Sequence, residues 1–262
     1  MKYGLQYNIN VTKSEIRNAG LSIAGAEYDE LPFAGTAPVV RISCSKLEQA
    51  VLDGALEDLS ISGVKILVIE TIGLENSEEA EKLSSLLIKC LPGFRSGKLE
   101  VCIENGYLVK NGRIKRGALS DGSALARFTD CLNEKAGEVF FRTAFNVGCA
   151  RALKLQIPEH VKALGNTISV LYLSDNDGRC DLRQMPYTFT SVHGVNSAQW
   201  DVLSEYFSGY MREVFIIGDI RGVFEVSPPE LKGTFLGLMA AILDEWKNKT
   251  ENGQIMLPVG EG

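Results

Sequence analysis

The segment Thr167–Gly178 reads TISVLYLSDNDG. An apolar, β-branched run ends abruptly in Asp175-Asn176-Asp177-Gly178. A strand buried on both faces has this composition, because neither face has to meet water, and parallel sheets bury both faces. The polar cluster marks the carboxyl end of the strand, where α/β proteins place their chemistry.

The same pattern recurs on either side. Strands are expected at Lys2–Tyr7, Ile23–Tyr28, Pro38–Cys44, Val64–Glu70, Leu99–Glu104, Val139–Val147, Ile168–Ser174 and Glu213–Ile220. Helical periodicity fills most of the intervals. Lys46–Leu59 carries Leu47, Ala50, Val51, Ala55 and Leu59 on one face. Ser77–Leu91 opens like a capping box on Ser77 and Glu81, with an acidic first turn. Ser123–Lys135, Ser197–Tyr210 and Pro228–Lys247 are similar, the last with Pro in its first turn. Thr12–Ala19 leaves little room for a full helix. Gly106–Gly122 is a long loop with a hairpin signal at Asn111-Gly112.

Eight strands alternating with helices predict a single-domain (β/α)8 TIM barrel over residues 1–250, with a loosely ordered tail at 251–262. The chain has 262 residues, 45% of them hydrophobic, enough for a sizeable core without staples. A net charge of −6 argues against a nucleic-acid backbone binder. No run of 18 apolar residues suggests a membrane span. Six cysteines without a CxxC pair, and an N-terminus without a signal-peptide pattern, point to a reduced, cytoplasmic setting. Nothing calls for a nucleotide cofactor. Barrels of this kind often form homo-oligomers, although no exposed apolar stripe names a surface.

The motifs Ile103–Asn105 (IEN), Phe145–Ala150 (FNVGCA), Leu171–Gly178 (LYLSDNDG) and Asp181-Leu182-Arg183 stand in a telling order. Together they resemble the xylose-isomerase-like TIM barrels, a superfamily that includes sugar-phosphate isomerases, ketose 3-epimerases and endonuclease IV. The resemblance runs from about residue 64 to 220. It implies a site at the carboxyl end of the barrel that acts on a small carbohydrate or sugar phosphate with a divalent metal, Mn or Mg. Glu104, Asn146, Asp175 and Asp181 become candidate metal ligands, and the first two are expected to point inward. Glu104 and Asp219 become the two carboxylates that exchange a carbon-bound proton. His193, in the loop after the seventh strand, is a further candidate acid or base. Glu30, Glu70, Cys149, Tyr172, Arg179 and Arg183 are candidate substrate contacts.

The departures are as specific as the matches. Asn146 stands for the family's Asp, and Cys149, Tyr172 and Arg183 each stand for a His. The metal-binding Glu that ends the eighth strand is missing. Gly218 takes its place and Asp219 follows, and an offset of one residue would turn Asp219 to the other side of the strand. The metal site is therefore expected to be altered or absent. Three zinc ions held by several His, as endonuclease chemistry requires, are excluded by a chain with only His160 and His193. Strand-end carboxylates can also cap helices or pair with Arg142, Arg151 or Arg183. Arg179 and Arg183, with Lys110, Lys115 and Arg116, offer a phosphate or carboxylate contact if they converge. Three functions remain open: an isomerase or epimerase with an altered site, a non-catalytic ligand-binding or partner-subunit descendant, and a metal-free lyase or hydrolase.

Overall fold

A computed structural model describes residues 1–31, 37–189, 199–210 and 212–252 of the chain. Eight parallel strands close into a barrel. They are β1 (Lys2–Gln6), β2 (Ile23–Glu27), β3 (Val39–Ser43), β4 (Ile66–Glu70), β5 (Glu100–Glu104), β8 (Phe141–Asn146), β9 (Ile168–Leu173) and β10 (Phe215–Gly218). Each pairs with its neighbours in the chain, and β10 closes on β1. The short antiparallel pair β6 (Leu108–Lys110) and β7 (Arg113–Lys115) forms a separate hairpin. Asn111 and Gly112, both with positive φ, make its turn. All eight expected barrel strands are present, each one to four residues shorter than expected.

Alternation along the strands builds two cores. Inward-facing Val39, Val68, Cys102, Ala144, Val170, Tyr172, Phe215 and Ile217 fill the lumen. The alternate residues, such as Val40, Leu67, Ile103, Phe145 and Leu171, pack beneath the surrounding helices. This is why the strands read as unbroken apolar runs: the lumen is packed, not hollow.

The helices differ from the expectations in instructive ways. The Lys46–Leu59 pattern is broken into Cys44–Leu52 and Ala55–Ile61, because Asp53 caps the first helix and Gly54 takes a φ of 75°. Thr12 nucleates a short helix, Lys13–Asn18, through a capping box with Glu15. The helix Ser77–Ser96 is capped by Asn76, not Ser77. Its side chain accepts from the Glu78 and Glu79 amides, and Glu79 reaches back to the Glu75 amide. An unforeseen helix, Arg221–Val226, precedes the last one, Lys232–Asn252. Among the described residues, no helix is long and apolar enough to cross a membrane.

His160 is half-buried and structural. Its Nδ1 accepts from the Gly122 amide at 2.9 Å, at the start of the helix Gly122–Ala136. A Cβ at Gly122 would lie 2.3 Å from the His160 carbonyl oxygen, so only glycine fits there. Burial lowers the imidazole pKa below its ordinary value. Asp121 and Glu159 oppose this shift, and Arg116 adds to it. The unfolded chain therefore takes up this proton at a higher pH than the native one. The contribution of His160 is full above the unfolded pKa and is lost as pH falls through the lower native pKa. Urea midpoints measured between pH 7.5 and 5 should show wild type losing stability relative to His160→Gln as pH falls.

Candidate active site at the mouth of the barrel

An arginine stands in the middle of the strand Val39–Ser43, VVRIS, where neither face of the sheet meets water. Alternation sends Arg41 inward with Val39. Its register partners are Glu27, on β2, and Val68, which in turn pairs with Cys102. Arg41 is thus rooted two residues deeper than Glu104, and its long side chain rises to the level of the strand ends. The guanidinium is completely buried. Burying such a charge is costly unless it is paired and hydrogen-bonded.

It is paired on every side. Arg41 Nη2 lies 2.5 Å from Glu27 Oε1 and 3.0 Å from Asp219 Oδ2, and Nη1 lies 3.2 Å from Glu104 Oε1. Nε donates to the same Glu27 oxygen at 2.8 Å. Beneath it, the Tyr172 ring centroid lies 4.7 Å from the guanidinium carbon. Two further arginines complete the network. Arg183 reaches Asp181, Asp219 and Glu70 at 3.0, 3.2 and 3.6 Å. Arg221 reaches Glu27 at 2.8 Å and Asp219 at 3.0 Å.

The offset of Asp219 does not turn it away. Gly218 is the outward residue, since a Cβ there would meet Met239 of the last helix at 2.6 Å. Phe215 and Ile217 face the lumen, and Asp219 continues that alternation into the mouth, where it is fully buried.

Glu104 also faces inward, and Asn146 Nδ2 donates to its Oε1 at 2.7 Å. The other oxygen, Oε2, is buried without a hydrogen-bond partner among the described residues. Burial raises the Glu104 pKa to about 7, against the lowering pull of Arg41, with Glu70 adding to the rise. The Tyr172 hydroxyl is likewise buried and unpartnered, and burial pushes its pKa up.

Above this layer opens a cavity of about 350 Å³. Arg41 lines it together with Glu27, Ser43, Lys46, Glu70, Asp181, Arg183 and Arg221. Glu104 and Asp219 do not line it. One wall is the 181–183 segment, held by Asn176. The Asn176 amide donates to the Gly148 carbonyl at 2.7 Å and to Asp181 at 3.2 Å, and its oxygen accepts from the Leu182 amide. Arg183 sits in that segment with a φ of 46°, the kind of local strain that clusters at functional sites.

The remaining expected site residues are scattered. The buried Asp175 accepts from the Asn176 and Phe189 amides and lies 3.6 Å from Arg151. It has no bond to the Glu104 group, because it fastens its own loop. Cys149 is fully buried at the start of the helix Val147–Ala152, with its thiol pKa pushed well up, so it is a packing residue. Glu30 lies in a 3-10 turn outside the cavity lining, its pKa raised by burial and by Glu27. Arg179 lies in a neighbouring groove with Arg113, Lys115, Arg116 and Lys154. It does not converge with Arg183. His193 lies outside the described residues.

Sequence reasoning missed Glu27, Arg41, Lys46 and Arg221. The signal for Arg41 was present: a lone charge inside an unbroken apolar strand must face a lumen and find partners there.

A divalent ion needs several open, hard oxygen ligands converging on one point. Here Glu27, Glu104 and Asp219 each already face a guanidinium. Of these three, Glu104 has one buried oxygen, Oε2, without a hydrogen-bond partner among the described residues. Among the described residues, no group of three or more acidic, His or Cys side chains is disposed to hold a metal. The residues present do not fit the metal that the sequence resemblance implies.

No family model matches this chain, and no curated protein matches its sequence. Solved structures do match. D-psicose 3-epimerase from Clostridium cellulolyticum H10, determined with D-tagatose, is 13% identical with a TM-score of 0.63, covering 96% of this chain and 100% of that one. The IolI protein, determined with a zinc atom, is 12% identical with a TM-score of 0.64, covering 98% and 100%. A xylose isomerase domain-containing protein from Salmonella typhimurium LT2 is 14% identical with a TM-score of 0.58, covering 92% and 97%. The chain therefore has a single-domain (β/α)8 fold, shared with these structures over nearly its whole length. At such identities the likeness speaks of the fold alone.

Proposed function

We propose that the protein takes a small sugar or sugar phosphate into the cavity at the barrel mouth and acts on it as an isomerase or epimerase without a divalent metal. One observation carries this reading. The cavity lies at the carboxyl end of the barrel and presents carboxylates beside arginines on the same wall, in a fold shared with sugar epimerases. Glu70 and Asp181 both line the cavity, and Glu70, the more exposed of the two, is the carboxylate able to take a proton from carbon. Arg183, beside both, would stabilise the oxyanion left on the adjacent carbonyl. The proton is then returned to the same or the neighbouring carbon, and nothing is oxidised or reduced.

A second reading, a non-catalytic binding protein, is favoured by a separate fact. Glu104 and Asp219, the carboxylates expected to do the chemistry, are fully buried and tied into ion pairs. Incubation with a panel of ketoses and ketose phosphates in D2O with EDTA, read by proton NMR, separates the two. Exchange at carbon that falls at least about 100-fold in Glu70→Gln supports the enzyme. Ligand-induced thermal shifts without exchange support the binding protein. Neither exchange nor binding across the panel overturns both.

A further inference from the structure

We infer that a second site lies on the rim of the barrel, separate from the mouth: a groove lined by Arg113, Lys115, Arg116, Lys154 and Arg179 that binds a chain of phosphates, free or carried by a nucleotide. This goes beyond the proposed function and does not depend on what the mouth takes, since the groove and the mouth cavity share no lining residue.

Three loops build the groove, and they follow the carboxyl ends of the neighbouring strands β5, β8 and β9. The hairpin after β5 supplies Arg113, Lys115 and Arg116. The turn after the helix Val147–Ala152 supplies Lys154, and the loop after β9 supplies Arg179. The last two walls are fitted together. A Cβ at Gly178 would lie 3.4 Å from Lys154 Cγ and Cε, so the lysine stem lies along the Gly178 backbone. The volume of the groove, about 530 Å³, is that of a small-molecule site.

Charge pairing sets this groove apart from the surfaces around it. The net charge of the chain is −6, so carboxylates are not in short supply. Other cations of the same walls use them. Lys110, on the same hairpin, meets Glu75 at 2.6 Å, and Arg151, three residues before Lys154, meets Asp175 at 3.6 Å. At the mouth, Arg41, Lys46, Arg183 and Arg221 each face a carboxylate. Among the described residues, the five groove cations have no ion pair and no side-chain hydrogen bond, and no acidic residue lines the groove. The acids next to Arg179 in sequence are engaged elsewhere: Asp177 accepts from the Arg179 and Cys180 amides, and Asp181 pairs with Arg183. Like charges gathered without a counter-charge repel, and a bound anion relieves that repulsion. Guanidiniums fork onto phosphate oxygens, and ammoniums add point charge. Five cations on three walls are more than one phosphate can meet, which selects several phosphates in a chain. Ile114, Ala152 and Leu153 are the apolar lining, without an aromatic ring on which a base could stack, so a nucleotide would be held by its phosphates.

The test is calorimetric titration of the whole chain with tripolyphosphate, inorganic phosphate and ATP in magnesium-free buffer. Tripolyphosphate is expected to bind once per chain, at least about tenfold more tightly than inorganic phosphate, and to weaken as salt is raised. ATP should match tripolyphosphate within about threefold, because the groove offers the base nothing to stack on. Lys154→Gln with Arg179→Gln should weaken tripolyphosphate at least about tenfold, and so should Arg113→Gln with Lys115→Gln. All four side chains are exposed, so both double variants should fold, which thermal melts will check. Lys110→Gln removes a cation from the same hairpin but outside the groove, and should bind as wild type does. Absence of saturable tripolyphosphate binding overturns the inference. So does a double variant that binds as tightly as wild type, or a Lys110→Gln variant that loses as much as the double variants do. ATP bound far more tightly than tripolyphosphate, or a tetraglutamate peptide bound equally tightly, would also overturn it, by assigning the groove to a base or to an acidic protein segment.

Discussion

Arg41→Met will destabilise the barrel by about 3–5 kcal/mol, the usual result of removing one partner from a buried ion network. Methionine fills much of the same volume and packs well against Tyr172, so the loss does not come from a void. It comes from Glu27, Glu104 and Asp219, left with less positive charge among them, the last two fully buried. At this chain length each kcal/mol moves the midpoint by about 2–4 °C, so a fall of about 10 °C is expected in a thermal melt. A change of under about 1 kcal/mol would mean that the guanidinium does not hold these carboxylates together.

Gly222→Ala is expected to be nearly as damaging, by another route. A Cβ at Gly222 would lie 1.7 Å from the Leu182 carbonyl oxygen. The obstacle is backbone, so no rotamer relieves it. Either the helix Arg221–Val226 or the 181–183 segment must retreat. Both carry cavity residues, Arg221 on one and Asp181 and Arg183 on the other. Overpacking of this kind costs about 1–3 kcal/mol. Movement of either wall also separates Arg183 and Arg221 from the Asp219 they share. Ligand binding should fall more than stability does, which parallel ligand titrations and urea melts will show. Normal binding in Gly222→Ala would remove this wall from the site.

The barrel was legible in the sequence because its physics is local. An apolar run buried on both faces is a parallel strand wherever it occurs, and Ile168–Leu173 announces this as plainly as Ile66–Glu70 does. Helix ends were less legible, since a cap depends on one side chain. Asn76 rather than Ser77 takes the amides of Glu78 and Glu79, and spacing alone does not separate two adjacent cap formers. The site was half legible. Glu104, Asn146, Asp181 and Arg183 all lie at the mouth, because strand ends converge there in any closed barrel.

What the sequence hid is the pairing. Arg41 is more than 60 positions from Glu104 and nearly 180 from Asp219, and only the barrel's register and tilt bring them together. Asp219 was misjudged because strict alternation was counted from a motif position and not from the strand itself. Counted from Phe215 and Ile217, it points inward. Asp175 illustrates the opposite error. Its motif resembles a ligand, but its carboxylate is taken by the Asn176 and Phe189 amides, a local bond that sequence spacing does not reveal.

Whether a guanidinium is the charge around which this mouth is built is tested most directly by the coupling energy between Arg41 and Glu104. The cycle compares Arg41→Met, Glu104→Gln and the double variant by urea unfolding at pH 8, above the pKa of about 7 held by Glu104. A coupling of about 2 kcal/mol or more is expected, with the double variant more stable than the sum of its parts predicts. A coupling below about 0.3 kcal/mol would show that the two side chains act independently, and would contradict an arginine-centred site.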